Sequence, residues 1–253
     1  MIAATFLIGA LCAQSGAVEI QAGAIDRGAV FVNANTAYQQ GDYPASARGY
    51  EQLTTDGVDN GYVWFNLGNA SLRSGRLGAA IAAYLRAQSL LPRDADVRAN
   101  LLFARQSTKD AIEPRQSAAV LRTLFFWHFS FSLLELVQAV GVANLLLWAL
   151  LAWRLYRRES ELSRWAVIVA LGALVALGGS LLVRVTMPPR VAVMQNVEVD
   201  VHSGTSRDTV VQFKLHAGTE TRWVETRGEW LRIALPDEKQ GWVHEEDVVA
   251  LVL

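Results

Sequence analysis

The chain has 253 residues, of which 52% are hydrophobic, and its 23 basic and 24 acidic residues leave a formal net charge of −1. That balance offers no basic face for nucleic acid, and the apolar excess calls for membrane segments rather than a wholly soluble globule. The single cysteine, Cys12, excludes an intramolecular disulfide and a multi-thiolate metal site.

Residues 1–17 form an apolar run ending in small residues, the pattern of a secretory signal peptide, although no basic residue opens it. Cleavage is expected after Ala13 or Ala17, with an uncleaved anchor as the alternative. Leu11 is too bulky before Cys12 for a lipoprotein site. The chain beyond this segment is expected to be exported.

Residues 27–108 repeat themselves. Phe31 and Phe65, Asn35 and Asn69, Gly41 and Gly75, and Tyr50 and Tyr84 are each separated by 34 positions. That period, with Trp64, Leu67, Gly68, Gly75, Ala80, Tyr84, Ala87 and Pro92 in the second copy, resembles the tetratricopeptide repeat (TPR), a pair of antiparallel helices. The first copy has Ala34 where the second has Gly68, and it lacks the terminal proline. A third helix from Asp94 is expected to close the array. Two repeats and a cap fall short of the roughly three that such arrays need, so outside support is expected, from the aromatic juxtamembrane segment or from a partner.

The resemblance implies a concave groove lined by Phe31, Asn35, Tyr38, Asn66, Asn69 and Arg73. Asn35 and Asn66 stand where carboxylate-clamp repeats place asparagines. Phe31, Asp96 and Asn100 occupy the places where such clamps carry Lys or Arg, so the expected occupant is a helix or extended segment of a protein partner.

Residues 117–131 carry five aromatics between Phe125 and Phe131, which suits a helix entering the headgroup region. His128 reads there as an interfacial polar tip. Residues 132–156 form the first expected transmembrane helix, and 164–186 the second. Trp165 to Val183 is uncharged for 19 residues, about 29 Å of helix, which matches a hydrocarbon core. The connector, 157–163, follows Arg154 and holds Arg157 and Arg158, with Arg164 just beyond. That density of positive charge places it in the cytoplasm and both flanking modules outside. Gly172, Ala176 and Ser180 recur at four-residue spacing and are expected to seat the first transmembrane helix. Neither span has a central charge, which argues against a transport path.

Residues 190–253 change to a period of two, with five or six short strands expected in a small closed barrel. "VEVDVHSGTS", "FKLHAGTE" and "GEWLRIALPDEKQGWVHEEDV" resemble the bacterial SH3 domain. His202 stands where that family often has Arg. Trp230, Trp242 and Phe213 read as core or rim, and Trp223 with His202 as a possible ligand surface.

The expected fold class is therefore a multi-module α + β chain of TPR hairpins, a two-helix transmembrane hairpin and a small SH3-like barrel. Nothing in the chain has the pattern of a catalytic or cofactor site. His202, His216 and His244 lack metal-ligand spacing, and no nucleophile elbow or phosphate-cradling loop is present. No enzyme activity, cofactor or metal is expected. The order of modules, with the "LLFARQ" to "FFWHFSF" junction, resembles the BatE-type proteins of aerotolerance operons. That resemblance implies a bacterial inner-membrane scaffold with periplasmic N- and C-terminal modules. Its implied partners are von Willebrand factor A membrane proteins and, indirectly, a MoxR-type AAA+ ATPase. The alternative is a sensor binding peptidoglycan peptides through the SH3-like domain.

Overall fold

The computed structural model describes residues 26–110, 119–156 and 161–253. The expected signal segment, most of the spacer after the cap and the arginine-bearing start of the connector lie outside the described residues.

Five helices come first: α1 Arg27–Gln39, α2 Tyr43–Thr55, α3 Gly61–Arg73, α4 Leu77–Leu90 and α5 Ala95–Gln106. Their starts are written in short polar side chains, since Asp26, Asp42, Asn60 and Asp94 each accept a backbone N–H of the first turn. The turns inside the two pairs are set by Gly41 (φ 81°) and Gly75 (φ 78°), which take the left-handed conformation 34 residues apart.

Close helix crossing is solved differently in the two copies. A Cβ on Gly68 would lie 2.5 Å from the Tyr84 ring, so glycine admits the tyrosine. In the first copy Ala34 takes the place of Gly68, and Gly49 takes that of Ala83. A Cβ on Gly49 would come within 2.8 Å of the Ala34 Cβ, so the small residue has moved to the facing helix and the crossing stays tight.

Two short helices, α6 Ala119–Leu124 and α7 Phe126–Ser130, lead to α8 Leu133–Tyr156 and α9 Glu161–Thr186. Helices α8 and α9 have 24 and 26 residues and are long and apolar enough to cross a membrane. They pack antiparallel on each other. Helix α8 opens with a capping box, in which Ser132 N donates to Glu135 Oε2 (2.8 Å) and Glu135 N to Ser132 Oγ (3.3 Å). The small-residue stripe of α9 does not seat α8 along its length. A Cβ on Gly172 would meet nothing within 4 Å, and Ser180 instead bonds the His128 ring at 2.6 Å. Arg184 donates to the carbonyls of Phe131 and His128, fastening α7 to the end of α9.

The C-terminal module is one antiparallel sheet of seven strands: β1 Arg190–Met194, β2 Glu198–His202, β3 Val211–His216, β4 Glu220–Arg227, β5 Trp230–Ala234, β6 Gln240–His244 and β7 Val248–Val252. Their order is β3-β2-β6-β5-β4-β1-β7. The count exceeds the expected five or six because two apolar stretches are interrupted. Gly218 (φ 87°) turns the chain between β3 and β4, and a 3-10 turn at Glu245–Asp247 separates β6 from β7. The sheet curls, since Val199 and Leu215 near one edge share a core with Met194 and Val248 near the other. Edge strands β3 and β7 are not paired with each other, so the expected closed barrel is an open, curled sheet.

Support for the short helical array comes from this sheet. Ile81, Leu85, Leu101 and Ala104 of α4 and α5 form one core with Val193, flanked by Val191, Val249 and Leu251 of β1 and β7. Gly78 lets the strand end approach α4, because a Cβ there would sit 2.0 Å from the Met194 carbonyl oxygen. Polar contacts ring the seam. Arg105 grips Glu220 with two hydrogen bonds (2.6 and 2.8 Å), and Arg86 bridges Asp59 and the Val252 carbonyl. The Asp110 carboxylate accepts from His216 N, His216 Nδ1 and Thr219 Oγ1 at 2.8, 2.7 and 2.6 Å. The aromatic segment contributes less, through Arg93, which reaches the Ser130 carbonyl and the Glu135 carboxylate.

Candidate functional site

In each repeat the second helix sends a tyrosine hydroxyl through to an asparagine on the first. Tyr50 of α2 donates to Asn35 Oδ1 of α1 at 2.5 Å, and Tyr84 of α4 donates to Asn69 Oδ1 of α3 at 2.7 Å. Each pair spans 15 residues, and the two pairs lie 34 residues apart. Both tyrosine residues are no more than 1% exposed. Burial pushes both phenols above the ordinary tyrosine value, so they remain protonated donors in neutral solution.

That fixes which way the asparagines point. Asn69 Oδ1 also accepts from Asn100 Nδ2 of α5 at 2.8 Å. With the carbonyl oxygens taken, Asn35 and Asn69 turn their Nδ2 donors to the groove, and neither donor has an acceptor among the described residues. Asn66 lies beside the Tyr50 hydroxyl.

These side chains surround a pocket of about 100 Å³ lined by Asn35, Tyr38, Gln39, Tyr50, Asn66 and Asn69. It is far smaller than the roughly 300–1,000 Å³ of a small-molecule site. Its size suits one side chain or main-chain carbonyl of a passing segment, and its amide donors favour an oxygen acceptor.

Two of the expected groove residues do other work. Phe31 packs edge-on against Tyr50 (centroids 6.0 Å apart) and belongs to the helical core. Arg73 is held at the end of the groove, donating to Tyr43 Oη at 2.7 Å with its guanidinium 4.8 Å above the Tyr43 ring. Tyr43 in turn stands edge-on to Tyr38. The reading from sequence missed Tyr50, Tyr84 and Gln39 as members of this site. The twice-repeated asparagine–tyrosine spacing was the signal that could have found the first two.

On the sheet, one of the two expected ligand residues is enclosed and the other half-buried. His202 is 8% exposed, bonded through Nδ1 to the Thr209 carbonyl at 3.2 Å and stacked edge-on with Trp230. Trp223 is half-buried against the sheet core, donates to Thr226 Oγ1 and lies under the Arg190 guanidinium at 5.4 Å. His202 therefore fills the wall of the module, while Trp223 keeps part of its surface exposed beside Arg190.

The family model described as tetratricopeptide repeat matches residues 31–95, from within α1 to the start of α5. No curated protein matches the chain. The match makes the N-terminal helices similar to TPR repeats, and the 34-residue recurrence of the Asn–Tyr pairs agrees with it.

Proposed function

We propose that this protein is a membrane-tethered, non-enzymatic scaffold whose TPR groove holds an extended segment of a protein partner. The observation that carries this reading is the pair of asparagine amides oriented by buried tyrosines into a pocket too small for a cofactor. Such donors read carbonyl oxygens, which any extended segment presents at regular intervals. Helices α8 and α9 serve as the tether. The C-terminal sheet is an SH3-like module that braces the repeats. Its enclosed His202 weighs against the alternative of a cell-wall sensor reading peptidoglycan peptides there.

The resemblance to BatE-type proteins gives this scaffold a setting. It sits in a bacterial inner membrane with both folded modules in the periplasm. Its clients are von Willebrand factor A membrane proteins served by a MoxR-type AAA+ ATPase. A photoreactive residue at Gln39, on the pocket's lining, tests this in cells. Crosslinking to a von Willebrand factor A membrane protein, lost on Asn35→Ala/Asn69→Ala substitution, is the expected outcome. Crosslinks confined to the chain itself would show that the groove is filled internally and sink the proposal.

A further inference from the structure

Helix α8 carries an amide at the middle of its span. Asn144 stands 11 residues after Leu133 and 12 before Tyr156, roughly 16–18 Å of helix from either end. Its short side chain reaches neither headgroup zone of a hydrocarbon core about 30 Å thick. Asn144 is exposed on the helix surface and makes no hydrogen bond through its side chain among the described residues. Helix α9 has nothing to offer it. From Ala166 to Gly179 that helix carries no polar side chain, and Ser180 beyond them is bonded to His128. Lipid tails supply neither donor nor acceptor, so an amide left there is costly. Gln138, the other exposed amide of α8, lies five residues from the helix start, and its longer stem snorkels toward the headgroups.

The neighbours of Asn144 are patterned to receive a helix. Leu134, Val137, Gly141, Asn144, Trp148 and Leu151 follow one another at alternating steps of three and four, the seam spacing of a left-handed helix pair, and all six are exposed. The covered residues of α8, Leu136, Ala143, Leu147 and Leu150, lie one position back from Val137, Asn144, Trp148 and Leu151. One position is about 100° around the helix, so the packing of α8 within its own chain leaves the Asn144 face open. A Cβ on Gly141 would meet nothing within 4 Å, which lets a second backbone approach one turn from Asn144.

Whatever completes this face has to bring a donor and an acceptor to mid-bilayer. Two copies of this chain inserted in the same sense do so, because a two-fold axis along the membrane normal sets identical residues at identical depth. Asparagine is its own complement, with Nδ2 donating to the other copy and Oδ1 accepting from it. A slipped register would set it against leucine or valine, so a single asparagine in the seam also fixes the alignment. No charged residue lies on the seam, and the copies meet there without like-charge repulsion.

We propose that the protein self-associates as a parallel pair through this face of α8, with Asn144 of the two copies hydrogen-bonded at the bilayer midplane. The inference rests on the membrane reading of α8 and α9 and is independent of what occupies the TPR groove. Pairing sets two TPR grooves on the same side of the bilayer, where a partner presenting two segments is held by both.

Energy transfer between fluorescently labelled copies of the full chain, reconstituted in phosphatidylcholine liposomes and diluted with lipid, tests the proposal. The expected result is transfer that falls on dilution, with association about three- to thirtyfold weaker in Asn144→Leu, the loss of an interhelical hydrogen bond. Leucine is favoured in hydrocarbon, so this loss is not one of insertion. Asn144→Gln, which keeps a donor and an acceptor, retains part of the association, and Val142→Leu on the far side of α8 leaves it unchanged. Absence of transfer at every dilution, or equal association of the Leu variant, overturns the proposal. In cell membranes, oxidation of Asn144→Cys in a Cys12→Ser background should give a disulfide-linked product of twice the chain's mass, and Val142→Cys should not. A product of any other mass assigns the face to a foreign helix and overturns pairing with a second copy. Alkaline carbonate extraction is read separately. Release of the wild-type chain would overturn the membrane reading itself, whereas a chain that stays in the membrane as a monomer overturns the pairing alone.

Discussion

Gly49 and Gly68 show how a single methyl group decides the packing of a repeat. Gly68 leaves room for the Tyr84 ring, and Gly49 leaves room for the Ala34 methyl. Gly68→Ala forces the ring aside and with it the hydroxyl that orients Asn69, so it is expected to lower both stability and partner capture. Overpacking of this kind costs about 1–3 kcal/mol, measurable as a lower unfolding midpoint in detergent. Gly49→Ala should cost a similar amount. The exchange Ala34→Gly/Gly49→Ala reproduces the arrangement of the second repeat and should recover most of the loss. Failure of the exchange to recover stability would show that the two positions do not compensate. Ala34 was visible in the sequence as a departure from the repeat pattern. Its compensation was not, because it depends on which residues of α1 and α2 touch.

Asp110 is a second residue whose role is decided by its surroundings. Burial raises its carboxyl, but hydrogen bonds from Thr219 and from the backbone and ring of His216, with the field of His216, outweigh this and hold it below the ordinary aspartate value. A carboxyl lowered on folding contributes stability above its unfolded value, and the contribution is lost as pH falls through the lower, folded value. The latch between α5 and the sheet should therefore hold at neutral pH and open only in acid below the usual aspartate range. Asp110→Asn should remove most of that acid dependence. It should cost about 1–3 kcal/mol at neutral pH, because donors that shared two carboxylate oxygens lose one acceptor. A pH profile of unfolding unchanged by the substitution would count against the assignment.

Among the elements, β1 departs most from what alternation predicts. A strand of period two buries one face, yet β1 buries Ala192 and Met194 in the sheet core while Val193 enters the core of α4 and α5. The run "RVAVM" is nearly continuous in apolar residues, the mark of a strand covered on both sides, whereas β7 turns Val249 and Leu251 to the helices and leaves Ala250 and Val252 exposed. The strands themselves were legible from composition and turn residues. The helix that covers them was not, since it lies a hundred or more positions away and no local pattern encodes the docking. The same holds for the pocket, where Asn35 and Asn69 follow from the repeat period while Asn100 enters only through the packing of α5. At this seam Glu220, 16% exposed in its side chain, depends on Arg105. Arg105→Ala strands that carboxylate, whereas Arg105→Met/Glu220→Met replaces the pair with apolar contact. The single substitution should destabilise by about 3–5 kcal/mol if the pair behaves as fully buried, and less in proportion to its residual exposure. The double substitution should lie closer to the wild type, and a double-mutant cycle on unfolding midpoints measures the difference.

At the scale of the whole molecule, the shared core converts two marginal modules into one cooperative unit. Two repeats and a cap have too few neighbours to sum to a stable array. An open sheet whose β1 and β7 present apolar side chains outward would be equally incomplete. Each covers the other through Ile81, Leu85 and Leu101 on one side and Val191, Val193 and Leu251 on the other. Helices α8 and α9 separate the two modules in sequence, so the hairpin also returns the chain to the side from which it left. Ile81→Ala tests the coupling, because its side chain is fully buried at the seam and does not line the Asn–Tyr pocket. Deleting it should cost about 2–5 kcal/mol. Hydrogen exchange should then show loss of protection in α4 and in β1 and β7 together. If only the helices lost protection, the modules would be independently stable, and the sheet would be a neighbour of the repeats rather than their support.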